Sequence, residues 1–128
     1  MSRAINKIIL VGNVGRDPDV RTTASGIKVA NFSLATSRRI PHGDGYEERT
    51  EWHRITAWNR LAEIAEQYVR KGDRLYIEGR MEYGTYEKNG TTIPTSEVNV
   101  RELVMLGSAA GASEPALALA GVDEDEDV

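Results

Sequence analysis

Two tryptophans stand six residues apart, with arginines among their neighbours, in Thr50-Glu-Trp-His-Arg-Ile-Thr-Ala-Trp-Asn-Arg-Leu-Ala-Glu63. As a strand, the segment alternates with period two: Trp52, Arg54, Thr56 and Trp58 share one face, and His53, Ile55 and Ala57 share the other. Strand tryptophans more often fill cores. Here the opposite face already offers Ile55 and Ala57 for burial, and an unpaired guanidinium buried between two indoles would be costly. The chain must therefore build a sheet that packs its Ile-Ala face on a core and holds the Trp-Arg row out to solvent. At about 3.3 Å per residue the indoles would be roughly 20 Å apart, room for several unstacked nucleotides.

The remaining segments supply the rest of such a sheet. Lys7-Ile-Ile-Leu-Val-Gly-Asn-Val14 is a nearly continuous apolar run and reads as a strand covered on both faces, ended by Gly15-Arg-Asp-Pro18. Lys28 to Thr36 alternates, with Ala30, Phe32 and Leu34 on one face; Ser37 to Tyr46 then reads as a polar loop. After the tryptophan strand, Leu61, Ile64, Ala65 and Tyr68 follow helical spacing, with Asn59 as N-cap and Gly72 past the end. Arg74 to Tyr83 alternates as a fourth strand with Leu75, Ile77, Gly79 and Met81 inward, and Asn89-Gly90 marks the turn of a long hairpin. From Thr95 to Leu106 the apolar parity slips between Val100 and Leu103, which predicts a bulge near Arg101. An all-β chain of five strands, with one helix between the third and fourth, fits the OB-fold, a Greek-key barrel that binds oligonucleotides on one side.

Charge divides the chain in two. Residues 1–106 hold all 16 Lys and Arg against 14 Asp and Glu, a net +2, whereas residues 107–128 hold six acids and no base. A mildly basic domain over 1–106 is thus expected to carry a flexible, disordered acidic tail over 107–128. No run approaches the roughly 20 apolar residues of a membrane span, and no extended signal segment precedes Lys7, so a cytoplasmic, nucleoid-associated location is expected and no membrane contact. With no cysteine, and with His42 and His53 as the two histidines at no metal spacing, neither a metal site nor a cofactor is expected. No Ser-His-Asp or paired-carboxylate pattern points to catalysis, so no catalytic residue is named. Gly12-Asn-Val-Gly15 has the form of a KH loop but follows a strand and precedes Asp17-Pro18, and it fits neither the Rossmann nor the P-loop glycine pattern.

Asn6-Lys-Ile-Ile-Leu-Val-Gly-Asn13, Gly15-Arg-Asp-Pro-Asp-Val-Arg21, Glu51-Trp-His-Arg54, Leu61-Ala-Glu63, Tyr68-Val-Arg-Lys-Gly72 and Tyr76-Ile-Glu-Gly79 closely resemble, in order and spacing, the bacterial single-stranded DNA-binding protein family. The resemblance spans residues 3–106. It implies an OB-fold protein, usually tetrameric, that coats single strands during replication, recombination and repair. The family's stacking aromatics fall on Trp52, on Trp58 where phenylalanine is common, and on Tyr86 where tryptophan is common. A fourth, after Ala35-Thr-Ser37, falls on Ile40, so weaker or shorter contact is expected there.

Bases are expected to stack on Trp52, Trp58 and Tyr86, while Arg54, Arg60, Lys71 and Arg80, with Arg38 and Arg39 in the loop, neutralise phosphates. The doubly apolar strand, through Ile8, Ile9 and Val11, points to self-association, and the resemblance adds His53 to that interface and implies a homotetramer. The acidic run Asp123, Glu124, Asp125, Glu126 and Asp127 matches the family's partner-recruiting end in charge. Replication and repair proteins are the partners considered for it, but it closes on Val128 rather than on the family's proline and phenylalanine, so a merely solubilising acidic end is the alternative. The rival reading is an OB-fold protein-interaction module, such as a primosome-type component.

Overall fold

The computed structural model describes residues 3–108. In chain order they form β1 (Ile8–Val14), β2 (Asp19–Thr22), β3 (Lys28–His42), β4 (Gly45–Trp58), α1 (Arg60–Tyr68), β5 (Arg74–Lys88) and β6 (Thr91–Gly107). Pairing runs β1-β5-β6-β4-β3-β2, and β1 also pairs with β3, so the sheet closes on itself. Closure occurs where Asn13 faces Ala35 and Val14 faces Leu34. There Gly12 lies directly against the Ala35 carbonyl, where any Cβ would collide, so a glycine is required. The β4–β6 pairing is parallel and the others are antiparallel, giving the expected barrel with α1 between its third and fourth long strands.

The core follows the expected parity. Ala30, Phe32 and Leu34 of β3, Ile55 and Ala57 of β4, and Leu75 and Ile77 of β5 are buried, with Leu61, Ile64 and Ala65 of α1 packed against them. Full burial of a side chain such as Leu34 or Ile77 contributes about 1.5–3 kcal/mol, so the barrel interior dictates which face of each strand turns outward. The bulge expected near Arg101 is present: Glu78 faces Glu102 but Gly79 faces Val100, leaving Arg101 as the extra residue. Asn89 (φ 54°) and Gly90 (φ 79°) form the tight turn between β5 and β6.

Five expectations need correction. The segment from Ser37 to Tyr46 is not a loop: β3 continues to His42 and β4 starts at Gly45, and the two form a hairpin arm turning at Gly43 (φ 60°). The arm is held by its ladder, by the Ser37–Thr50 hydroxyl pair at 2.9 Å and by the Arg38–Glu51 ion pair at 3.5 Å. Both its faces meet solvent, so it lacks the apolar alternation that marks a half-buried strand. Second, β2 adds a short sixth strand on β3, visible in the sequence only as the single apolar Val20.

Third, β1 is covered on one face only: Ile8 and Leu10 pack on the core, whereas Ile9 is 52% exposed and Val11 40%. Fourth, Asn59 makes no side-chain capping bond. Its φ of 57° is set by the junction with β4, where its N–H donates to the Lys28 carbonyl at 2.8 Å. Fifth, α1 ends at Tyr68, itself 41% exposed, and Val69 takes the buried position. Gly72 (φ 90°) instead forms the turn into β5 and donates its N–H to the Val14 carbonyl at 2.8 Å. The expected acidic tail, with Asp123 to Asp127, lies outside the described residues.

Candidate nucleic-acid interface

β4 is the middle of the site. Its inward residues Ile55 and Ala57 are buried, which forces Trp52, Arg54 and Trp58 onto the outer surface, where Trp52 is 62% and Trp58 40% exposed. The ladder with β3 sets Ala35 beside Trp52, Ser33 beside Arg54, Asn31 beside Thr56 and Val29 beside Trp58. Gly15 lies under the Trp52 ring, where a Cβ would press into the indole, so the loop after β1 supports the ring from below. Between the tryptophans the surface is ordered by Thr56, whose buried hydroxyl lies 2.9 Å from both Asn31 Oδ1 and Glu97 Oε1. This network rigidifies the floor beneath the two rings.

The expected cations differ in how free they are. Arg54 lies between the tryptophans and pairs with no carboxylate among the described residues. Arg39 lies on the Trp52 side of the arm, its guanidinium 4.7 Å from the centroid of the Tyr46 ring. Arg60 opens α1, two residues beyond Trp58. Lys71 sits in the turn after α1, its backbone N–H held by Asp17 at 2.8 Å, close to the loop that supports Trp52. Arg80 is on the same outer surface but is bound to Glu82 at 3.0 Å, and that carboxylate also accepts from Asn99. Arg38 alternates onto the opposite side of the arm from Trp52 and pairs with Glu51, so it does not join the tryptophan face.

Tyr86 stands on the second arm, opposite Ile93 and in step with Arg80 and Glu82, about half exposed. Tyr46 lies in the segment expected to be a loop, and the unbroken ladder of the arm places it on the same side of β4 as Trp52. Of the expected association residues, Ile9 and Val11 face outward beside Tyr76 and Val104, but Ile8 turns into the barrel. His53 is half-buried at the rim, with its Nε2 2.9 Å from the Thr36 hydroxyl.

Among the described residues no cluster of His, Asp or Glu could hold a metal ion, and no helix is long and apolar enough to cross a membrane. Two perturbed groups stand out. The Glu66 carboxylate, 2.7 Å away, raises the Lys28 pKa, and the hydrogen bond to Glu78 raises that of the Tyr76 phenol.

Residues 5–106 match the family described as the single-strand binding protein family. The chain belongs to that family. It is 45% identical over 111 residues to Single-stranded DNA-binding protein 1 of Chlorobaculum tepidum, covering 84% of this chain and 68% of the relative. It is 43% identical over 109 residues to a single-stranded DNA-binding protein of Xanthomonas axonopodis pv. citri, covering 84% of this chain and 61% of that one. Among solved structures it is similar to a Plasmodium falciparum SSB complex with ssDNA, at a TM-score of 0.77 and 29% identity, covering 84% of this chain and 99% of the other. Within the single-strand binding protein family's frame, Ile40 faces Glu47 near the end of the first arm and offers no ring.

Proposed function

We propose that this protein binds single-stranded DNA without sequence preference and coats strands exposed during replication, recombination and repair. The observation that carries this reading is the outer face of β4, which holds Trp52 and Trp58 out to solvent on either side of Arg54, a guanidinium with no carboxylate partner among the described residues. An indole stacks on any base, each such contact contributing about 1–3 kcal/mol, and a guanidinium beside it neutralises the backbone. Duplex bases hide their faces, so the preference for single strands follows from the stacking itself. Tyr86 extends the surface, while Arg39, Arg60, Lys71 and Arg80 track phosphates. Its likeness to proteins named for single-stranded DNA binding, and to one solved with ssDNA, supports the same reading. The protein acts by binding and not by catalysis, and works in the cytoplasm.

The exposed Ile9 and Val11 belong to a homo-oligomeric interface, in a tetramer, with His53 near its edge. Residues 1–106 are the DNA-binding unit, and the acids of 107–128 offer a surface to replication and repair proteins.

Titration of the intrinsic tryptophan fluorescence tests the central claim. Poly-dT should quench it strongly and duplex DNA should not, and added salt should weaken the complex. Absence of quenching by either nucleic acid would hand the surface to the protein-interaction reading.

A further inference from the structure

β4 pairs with β3 without a register shift from Gly45 opposite His42 to Trp58 opposite Val29. Its alternation therefore passes unbroken from the barrel into the arm, and every even-numbered residue from Tyr46 to Trp58 lies on the tryptophan side. Three aromatics recur there at steps of six: Tyr46, Trp52 and Trp58. Their neighbours across the ladder recur as well, Pro41, Ala35 and Val29, each without a polar side chain that would compete for the ring.

Tyr46 remains 65% exposed although Arg39 lies over its ring. A cation on one ring face leaves the other open to a base and places positive charge beside the phosphate of the same nucleotide. The Tyr46 ring contributes nothing to the barrel core, and the arm that carries it already has its ladder and the Ser37–Thr50 pair.

We infer that Tyr46, held by Arg39, is a third base-stacking station on β4, which extends the single-strand path from the barrel along the arm. This rests on the single-stranded DNA reading above. The three stations span roughly 40 Å at about 3.3 Å per residue, and strand twist makes the path wind around the arm. Ile40, opposite Glu47, lies on the other side of the arm, so Tyr46 adds a ring on the tryptophan side and does not replace one at Ile40.

Single-tryptophan reporters in the full chain test the inference. Trp58→Phe leaves Trp52 as reporter, Trp52→Phe leaves Trp58, and the double Phe variant with Tyr46→Trp places the only indole on the arm; phenylalanine keeps a stacking ring at each vacated position. Poly-dT should quench all three, with the arm reporter saturating at the same DNA ratio as the other two. Quenching at positions 52 and 58 without quenching on the arm would overturn the inference and leave the single-stranded DNA reading standing. Quenching at none of the three would overturn both. In the otherwise unaltered chain, Tyr46→Ala should weaken poly-dT binding about 10-fold and Tyr46→Phe should restore it. Equal affinity of Tyr46→Ala and the parent protein would also overturn the inference.

Discussion

The outer faces of β4 and β1 both leave large apolar side chains in solvent, and they differ in what stands among them. On β4 an arginine separates two indoles. On β1, Ile9 and Val11 follow each other at the strand repeat, flanked by Tyr76 and Val104 of the neighbouring strands. A guanidinium between rings resists burial against protein, because its charge would need a partner, but it suits a polyanion whose bases lie flat. An apolar patch whose one facing acid, Glu78 opposite Ile9, is already bound to Lys7 and Tyr76 has no such use for a nucleic acid and gains by burial against another protein surface. One barrel thus presents two sticky faces with separate chemistries, and changes to each should be separable.

The largest effect is expected from the aliphatic side. Ile9→Glu with Val11→Glu places two charges on the proposed self-association surface while both side chains stay in solvent in the single chain. Light scattering should show the assembly reduced to monomers, with the circular dichroism of the barrel retained and binding to a short dT oligomer largely kept. If the parent protein is itself monomeric at micromolar concentration, this half of the comparison fails. Next in size is Trp58→Ala, which removes one stacking ring: affinity for poly-dT should fall by about 1–3 kcal/mol while the assembly and the thermal midpoint stay as they were. Unchanged affinity would mean that the outer face of β4 is not where the bases go.

Arg54 and Arg80 sharpen the contrast within the proposed DNA-binding face. Arg54 has no carboxylate partner among the described residues, whereas Arg80 is bound to Glu82 at 3.0 Å. Each phosphate neutralised on a single strand adds about 0.7 to the magnitude of the slope of log K against log salt. Arg54→Ala should therefore lower the slope by about that much. Arg80→Ala should change it less, because its charge is already partly spent on Glu82. Equal slopes for the two variants would show that the Arg80–Glu82 pair opens when DNA binds.

How much of this was legible in the sequence depended on whether one face of a segment was buried. Trp52 and Ile55 could be assigned to opposite sides because the core selects a parity, and the bulge at Arg101 was visible because the apolar residues slipped from Val100 to Leu103. The run from Ile8 to Val11 is apolar at every position, so nothing in it says that Ile8 turns inward and Ile9 outward; only pairing of Ile8 with Gly79 and of Ile9 with Glu78 decides that. The arm was illegible for the opposite reason. Its residues are polar on both faces and its stability comes from a ladder and cross-strand pairs that leave no periodicity, and Tyr46 was overlooked with it. The proposed base-binding surface at Tyr46 and the proposed association surface at Ile9 and Val11 thus both lie where burial within one chain stops acting as a guide.

The smallest expected effect belongs to the β1 side and appears only at high pH. The Tyr76 hydroxyl, central on the aliphatic face, donates to Glu78 Oε1 at 3.0 Å, and that bond, with some burial, raises its pKa above the ordinary tyrosine value. A pKa raised in the folded state contributes stability that is fully present below the unfolded value, about 10, and is lost as pH rises through the folded value. Thermal midpoints should therefore fall above about pH 10 in the parent protein, and part of that fall should be missing in Tyr76→Phe. Lys7 lies 3.4 Å from the other oxygen of Glu78, and the Tyr76→Phe substitution leaves that pair in place, so the difference between the two profiles reads the phenol. Poly-dT affinity measured across the same range should show no such difference, because Tyr76 stands on the face opposite in function to β4. A shared alkaline step in stability and in DNA affinity, both removed by Tyr76→Phe, would show that the two faces are coupled through the barrel wall.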